Sequence, residues 1–507
     1  MKILNISKRM LSVLLILLVF LNKSNAQLSI SAQIRPRAEY RNGLGTLKLL
    51  DAPSAGFVSQ RSRLSFGYKI EKVTFGMSIQ DVRVWGQDAS TISTADGNRL
   101  GVHEAWAEVG LCDSIGLSLK VGRQELLYDD SRLIGNLDWL QQGRRHDAAV
   151  LKLNKNGWQL DFGAAFNQNS DAFGISGTFY TAGNTPQYLA NSKGYLVTVP
   201  SGFIPVNAKG VPTLTINAST NGGVQMYKSM QYLYASKKFG KVKASALLFK
   251  DDFAKYRLDT LKAADGGTLA GRRYDVKGTN SRVTAGLLLN GAFGKGFTYI
   301  LGGYFQTGKN RDGLDLSAYT TTAYLAYTKG KFTIGAGYDL VSGNDMTATT
   351  ITKDNKFDPL YGTPHKFWGY MDYFYAGTGG VAAGLSDPYL RFKYAASKTV
   401  SLGLDVHNFS LQKNMPNKYS DATGKTLLNK QLGNEFDFIL NYTLNKSSMI
   451  EFGYCVMAAT NSLEYVKLAT TDKADHTGTW AYLSLNIKPE IFSSTPAALT
   501  PDGSGLG

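Results

Sequence analysis

From residue 28 to residue 488 the chain repeats one unit. A stretch of about ten residues alternates apolar with polar side chains and ends in a turn or a loop. Eighteen such segments can be counted. In 157–167, Trp158, Leu160, Phe162, Ala164 and Phe166 share one face, and Gln159, Asp161, Gly163, Ala165 and Asn167 share the other. In 433–444, Phe436, Phe438, Leu440, Tyr442 and Leu444 alternate with Glu435, Asp437, Ile439, Asn441 and Thr443. Period-two patterning of this length is that of a strand with two different environments on its faces.

The connections are sorted by parity. Those after even-numbered segments are short and turn-like: "LCDSIG", "NKNG", "KKFGK", "AFGKG", "TKGK", "ASK", "NKSS". Those after odd-numbered segments are longer, and three are very long, at 168–225, 251–280 and 342–386. A soluble sandwich has no reason to sort its loops this way. An up-and-down barrel of hairpins in a bacterial outer membrane does, with short periplasmic turns and long extracellular loops. The expected fold is therefore all-β: a transmembrane up-and-down barrel of about 18 antiparallel strands. A spanning sheet must leave no backbone group unpaired, so it closes on itself.

The ends set the domain limits. Residues 1–26 carry Lys2, Lys8 and Arg9, then the apolar run Met10–Leu21, then the small-residue site Ser24-Asn25-Ala26. This is the pattern of a secretory signal peptide, too short in its apolar part to span a bilayer. The barrel is expected over 27–492, with Phe492 as its last aromatic and 493–507 as a disordered tail. The whole chain carries +16, and the leader holds four of those positive charges and no acid, so the mature part stays near +12. Basic chains favour nucleic acid, anionic membranes or acidic substrates. Export argues against nucleic acid. Two cysteines, Cys112 and Cys455, cannot form a disulfide scaffold.

The first strand locates the charge. In "LSISAQIRPRAEYRN", Ile34, Pro36, Ala38 and Tyr40 alternate with Arg35, Arg37, Glu39 and Arg41. An arginine facing lipid at the midplane costs about 2–4 kcal/mol. Three on one strand must therefore face the bore. Arg61 and Arg63 in "SQRSRLSFGYKI", and Arg391 and Lys393 in "DPYLRFKYAAS", fall on the same face. Eighteen strands leave an aqueous channel, and rings of Arg or Lys suit anion pores. Glu39, Glu104, Asp161, Asp339, Asp437 and Glu451 are the expected lumen acids, keeping the cations oriented. Two strands break phase: Asp81 with Arg83, and Arg123, would face lipid unless β-bulges near Gln80 and in "SLKVGRQEL" turn them inward. His103 is assigned to the outward face.

The stretch "VGRQELLYDDSRLIGNLDWLQQGRRHDAAV" at 121–150 resembles the alginate export family of outer-membrane proteins, as do "FDPLYGTPHKFWGYMDYF" at 357–374, "RPRAEYRNG", "SQRSRLSFGY" and "EAWAEV". The resemblance implies an eighteen-stranded barrel with a basic lumen that conducts a polyuronate. It also implies selectivity-pore positions at Arg123, Arg144, Arg145 and Asp147. Every periplasmic turn is short, so a gate must come from the outer loops. The 342–386 loop is the foremost candidate, through Phe357, Trp368, Tyr370, Tyr373 and Phe374, which can pack inward or offer flat faces to sugar rings.

Catalysis is not expected. The five histidines are scattered, no metal-ligand spacing is present, and no cofactor is called for. Asp405 and His407 share a strand face without a placed nucleophile. The reading is a monomeric outer-membrane channel for anionic solutes or an anionic polysaccharide, with membrane lipid and lipopolysaccharide as its surroundings. Two alternatives stay open: a general anion-selective porin, and a surface adhesion barrel with a closed lumen.

Overall fold

The computed structural model describes residues 27–87, 100–168, 185–208, 210–214, 227–374, 380–470 and 472–494. Its body is one closed barrel of eighteen antiparallel strands. They are β1 (Gln27–Asn42), β2 (Ala55–Ile70), β3 (Val73–Val84), β4 (Gly101–Cys112), β5 (Leu117–Gln124), β6 (His146–Lys155), β7 (Trp158–Phe166), β8 (Ser229–Phe239), β9 (Val242–Ala254), β10 (Thr279–Phe293), β11 (Phe297–Lys309), β12 (Asp315–Lys329), β13 (Phe332–Val341), β14 (Leu385–Ala395), β15 (Val400–Leu411), β16 (Gln431–Asn445), β17 (Ser448–Ala459) and β18 (Thr477–Ile487). Each of the eighteen expected segments overlaps one strand. Neighbours in sequence are neighbours in space, and β1 pairs with β18 from Arg37↔Ser484 to Asn42↔Thr479, which closes the ring. Past Pro489 a short strand, Glu490–Ser493, pairs with the start of β1 and sets Phe492 opposite Ile30. The expected leader and nearly all of the expected tail lie outside the described residues.

The parity rule holds in the structure. Turns after even strands shrink to two residues at 71–72, 156–157, 240–241 and 330–331. Asn156 and Gly157 both have positive φ, +52° and +75°. That is the primed turn whose twist matches a hairpin, and Asn-Gly is its preferred pair. Burial follows the period of two. In β7, Trp158 and Phe162 are exposed on the outer face while Asp161 on the inner face is 2 % exposed.

Lumen-facing aromatics lie flat over glycines of the adjoining strand. Trp106 covers Gly76, Tyr232 covers Gly163, Tyr389 covers Gly337 and Tyr482 covers Gly453. A Cβ at any of these glycines would stand 2.0–2.4 Å from a ring atom, so the ring occupies the place of the missing side chain.

Three expectations about phase are corrected. The β2–β3 ladder runs unbroken from Val84↔Ser59 to Val73↔Ile70, so no bulge forms at Gln80. Asp81 and Arg83 stay on the outward phase and pair with each other at 2.6 and 2.8 Å. The β5–β6 ladder is equally regular, with Arg123 opposite Asp147. Arg123 and Asp147 face outward and form a bidentate pair at 2.8 and 2.9 Å, with Arg145 beside them. Both pairs sit at the loop-side ends of their strands, where the cost of a charge falls to about 0–1 kcal/mol, so no bulge is needed. The irregularity lies instead on β4. Ser78 pairs with Glu104 and Ile79 with Val102, which leaves His103 as the extra residue and turns it into the lumen, 0 % exposed.

The outer part of the bore is filled by its own loops. Residues 125–145, between β5 and β6, and 342–374 with 380–384, between β13 and β14, fold inward and pack against the inner wall. One cluster gathers Phe367, Trp368, Met371, Tyr373 and Phe374 against Phe409, Met457 and Trp480. Another gathers Leu133, Ile134, Phe357, Leu360 and Tyr361 against Tyr232, Phe249 and Leu288. An eighteen-strand circumference leaves a wide opening, and the apolar residues of these two loops narrow it. A short helix, α1 (Asn461–Leu468), capped by the Thr460 side chain, supports the second loop from the β17–β18 connection.

Candidate functional site

The arginines of β1 and β2 meet across one ladder. Arg35 lies directly opposite Arg61, both on the inner face. Like charges set opposite on neighbouring strands repel. Asp138, from the inward β5–β6 loop, divides its carboxylate between them: Arg61 Nη1 donates to Oδ1 at 2.7 Å and Arg35 Nη1 to Oδ2 at 3.2 Å. Gln141 of the same loop accepts from Arg35 Nε at 3.1 Å and donates to Ser59 Oγ at 3.1 Å. Arg61 also donates twice to Gln33 Oε1. The pair is thereby sealed under the loop, Arg35 at 9 % exposure and Arg61 at 1 %. Burial acts to raise the Asp138 carboxyl, but the hydrogen bond from Arg61 and the charges of Arg61 and Arg35 outweigh it and hold it below the ordinary carboxylate range.

Toward the loop end of β1, Glu39 takes both remaining arginines. Arg37 Nε donates at 2.8 Å, Arg41 Nε at 2.9 Å and Trp480 Nε1 at 3.1 Å. Arg37 also donates to the Trp139 carbonyl at 2.8 Å and lies over the Trp139 ring at 4.1 Å. Toward the turn end, Arg63 donates twice to Gln80 Oε1, and its Nη1 stands 3.7 Å from Glu125, which also bonds His103.

The β5–β6 loop reaches other walls as well. Tyr128 donates to Asp161 at 2.9 Å, and Asp129 accepts from Tyr234 and Ser245, each at 2.7 Å. Arg132 donates to Asp339 at 2.8 Å and to Thr322 at 3.1 Å. Arg144 donates to the Tyr361 and Gly362 carbonyls and so ties the two inward loops together. An isolated bridge between Ile134 and Tyr361 adds to the tie.

The second loop rests on acids of the wall. Met371 N donates to Glu435 at 2.7 Å and Tyr370 N to Asp437 at 3.1 Å. Tyr373 donates to the Gly43 carbonyl at 2.5 Å. Phe357, Trp368 and Tyr373 are buried, at 2 %, 4 % and 0 % exposure. They pack as loop core. Glu104 accepts from Trp106 Nε1 and the Glu125 amide, and Glu451 from Tyr482.

Of the expected cations, those left accessible on the inner face are Arg41 and Lys393, with Arg63 and Arg391 partly so. Arg391 donates to Asp405 at 2.8 Å, and His407 bonds Asp387 at 3.0 Å, so Asp405 and His407 belong to separate pairs. Sequence reasoning did not single out Asp138, Trp139, Gln141, Asp129, Arg132 or Glu125. Their one signal was a connection dense in charge and aromatics where a bare loop would do. Among the described residues no group of three or more His, Cys, Asp or Glu side chains is arranged to hold a metal ion.

The match to known families is extensive. A family model described as "Alginate export" covers residues 26–165 and 217–474. The chain belongs to the alginate export family. The inward-loop segments 121–150 and 357–374 fall within the matched stretches. This alginate export family member is an outer-membrane protein of the Gram-negative type, and its barrel is similar to those of solved porins. OccAB1 of Acinetobacter baumannii aligns over 93 % of this chain and 100 % of its own, with TM-score 0.54 and 12 % identity. OpdO of Pseudomonas aeruginosa aligns over 92 % and 98 %, with TM-score 0.51 and 13 % identity. OpdK of the same organism, solved with vanillate, aligns over 92 % and 99 %, with TM-score 0.50 and 11 % identity. At such identities the likeness concerns the fold. No curated protein matches the sequence.

Proposed function

We propose that this protein is an anion-selective outer-membrane channel, and that its cargo is an anionic polysaccharide of the uronate class. The observation that supports it best is the set of cations left at least partly accessible on the inner face, Arg41, Arg63, Arg391 and Lys393. Arg63, Arg391 and Lys393 would border the narrowed path and attract a passing carboxylate, the two guanidiniums by bidentate pairing and the Lys393 ammonium as a point charge. Nearby acids keep each cation from holding an anion too long, which conduction requires. Membership of the alginate export family supports a uronate polymer as cargo. The protein would act as a monomer among lipid and lipopolysaccharide, and as a conduit rather than a catalyst.

The packed outer bore favours a second reading, a barrel closed at rest and used for surface interaction. Planar-bilayer recording separates the readings. An anion-selective current, reduced in selectivity by Arg63→Gln with Lys393→Gln and blocked by uronate oligomers, supports the export channel. Anion selectivity without block leaves a general anion porin. Absence of current in the wild type and in a loop-released variant favours the closed barrel.

A further inference from the structure

On the loop side of the barrel, apart from the Arg35–Arg61 wall, a cavity of about 300 Å³ opens between β9–β12 and the β13–β14 loop. This is at the small end of ligand pockets, of a size for one ring rather than a polymer. Phe253, Phe357, Trp368 and Phe374 give it an apolar floor, and Arg311 and Lys356 lie on its charged side.

The charges there are unevenly satisfied. Arg282 is committed to Asp251 at 3.0 and 2.6 Å and to Asp358 at 3.1 Å. Arg272 lies over Tyr256, with Nη1 3.5 Å from Asp312. Asp354 accepts from Asn310, Asn344 and the Lys356 amide. The Lys356 ammonium, by contrast, has no carboxylate within ion-pair distance among the described residues. Burial and the neighbouring Arg311 charge push it below the ordinary lysine range, while Asp358 and Asp354 pull only weakly the other way. Three further polar atoms of the lining are buried without a hydrogen-bond partner: the Trp368 indole Nε1, Asp358 Oδ1 and Arg272 Nη1. Native interiors rarely leave a donor and an acceptor so. Trp368 is moreover held at φ +56°, a conformation rare for a bulky residue. The Tyr370 and Met371 amides fixed on Asp437 and Glu435 anchor the chain just beyond it.

We propose that this cavity binds a single-ring hydroxylated carboxylate, its carboxylate on Lys356, a hydroxyl donating to Asp358, and its ring against Trp368. An unpaired cation, an unpaired acceptor, an unpaired indole donor and an aromatic floor in one cavity fit that chemistry and do not fit a neutral or purely apolar guest. A sugar acid and a phenolic acid share it. A saturable site for one small acid is distinct from conduction of a polymer, so the proposal goes beyond the channel reading.

The test is calorimetric titration of the purified full chain in detergent with D-galacturonate, 4-hydroxybenzoate and, as the neutral control, D-galactose. One-site binding of either acid, with galactose at least about tenfold weaker, is expected, since a charge-assisted contact is worth that factor or more. Which acid binds identifies the source. Lys356→Gln should weaken the acid about tenfold. Trp368→Phe, which keeps the ring and removes the N–H, should weaken it by a smaller factor. Arg63→Gln should leave binding unchanged while altering ion selectivity. Heat-modifiable migration verifies that each variant is folded. Binding of neither acid, equal binding of galactose, acid affinity unaltered in Lys356→Gln, or affinity lost in Arg63→Gln overturns the proposal.

Discussion

Trp139 and His365 stack face to face, ring centroids 4.3 Å apart and planes 10° from parallel. The first belongs to the β5–β6 loop and the second to the β13–β14 loop, so this contact joins the two halves of the plug. Arg37 lies over Trp139 at 4.1 Å, and Tyr482 meets it edge-on at 5.0 Å. Aromatic pairs of this kind contribute about 0.5–1.5 kcal/mol beyond their buried area, and a cation over an aromatic face adds to them. Trp139→Ala should loosen the plug while leaving the strand ladders intact. Single-channel conductance should rise, with more frequent open-state fluctuation. A conductance equal to wild type would mean that the two loops do not limit the path.

Asp138 should govern the same plug through charge. Asp138→Asn removes the anion that separates Arg35 from Arg61 and leaves two buried guanidiniums facing each other. Loss of one partner from a fully buried pair costs about 3–5 kcal/mol. Because the Asp138 side chain is 43 % exposed, solvent screening reduces the expected cost to about 1–2 kcal/mol. Its carboxyl lies below the ordinary range, so its contribution is complete above about pH 4 and is lost as pH falls through the lower folded value. Hydrogen exchange of 125–145 should stay slow in the wild type from neutral pH down to about pH 4. In Asp138→Asn it should be faster throughout that range. Equal protection in both proteins would remove Asp138 from its anchoring role.

The barrel was legible because lipid and water impose opposite demands on alternate residues, and each strand records them. Leu160 against Asp161 and Phe436 against Asp437 are read directly off the chain. The plug was less legible. Inward packing of 342–374 had a signal in its aromatics, whereas Asp138 and Gln141 lie in an irregular segment with no period to decode. Phase was misjudged where charge sits at strand ends. Arg123 and Arg83 were assumed to be as costly outside as at the midplane, yet each is neutralised by a partner two residues away or directly across the ladder. The bulge that forms near Gln80 lies on the neighbouring strand, at His103, where the pattern offered no break.

That reassignment has its own test. Arg123 and Asp147 face outward, 39 % and 55 % exposed. Exposed pairs contribute about 0–1 kcal/mol. Arg123→Gln should therefore leave the reversal potential of the channel unchanged and lower stability only marginally. A shift in selectivity as large as that of Arg63→Gln would return Arg123 to the lumen.

The glycine–aromatic contacts tie barrel stability to the plug. Gly453 on β17 lies opposite Tyr482 on β18, and a Cβ there would stand 2.0 Å from the tyrosine ring. Tyr482 in turn stacks on Trp480 at 4.6 Å and meets Trp139. Gly453→Ala must push the ring off the strand, toward the loop it supports. Overpacking of this kind costs about 1–3 kcal/mol. The heat-modifiable transition should move to lower temperature, and conductance should change in the same direction as in Trp139→Ala. Adding Tyr482→Leu vacates the space the new methyl needs, so the double variant should lose less stability than the two single changes summed. Additive losses would show that the ring and the glycine are not coupled, and that the plug does not lean on this joint.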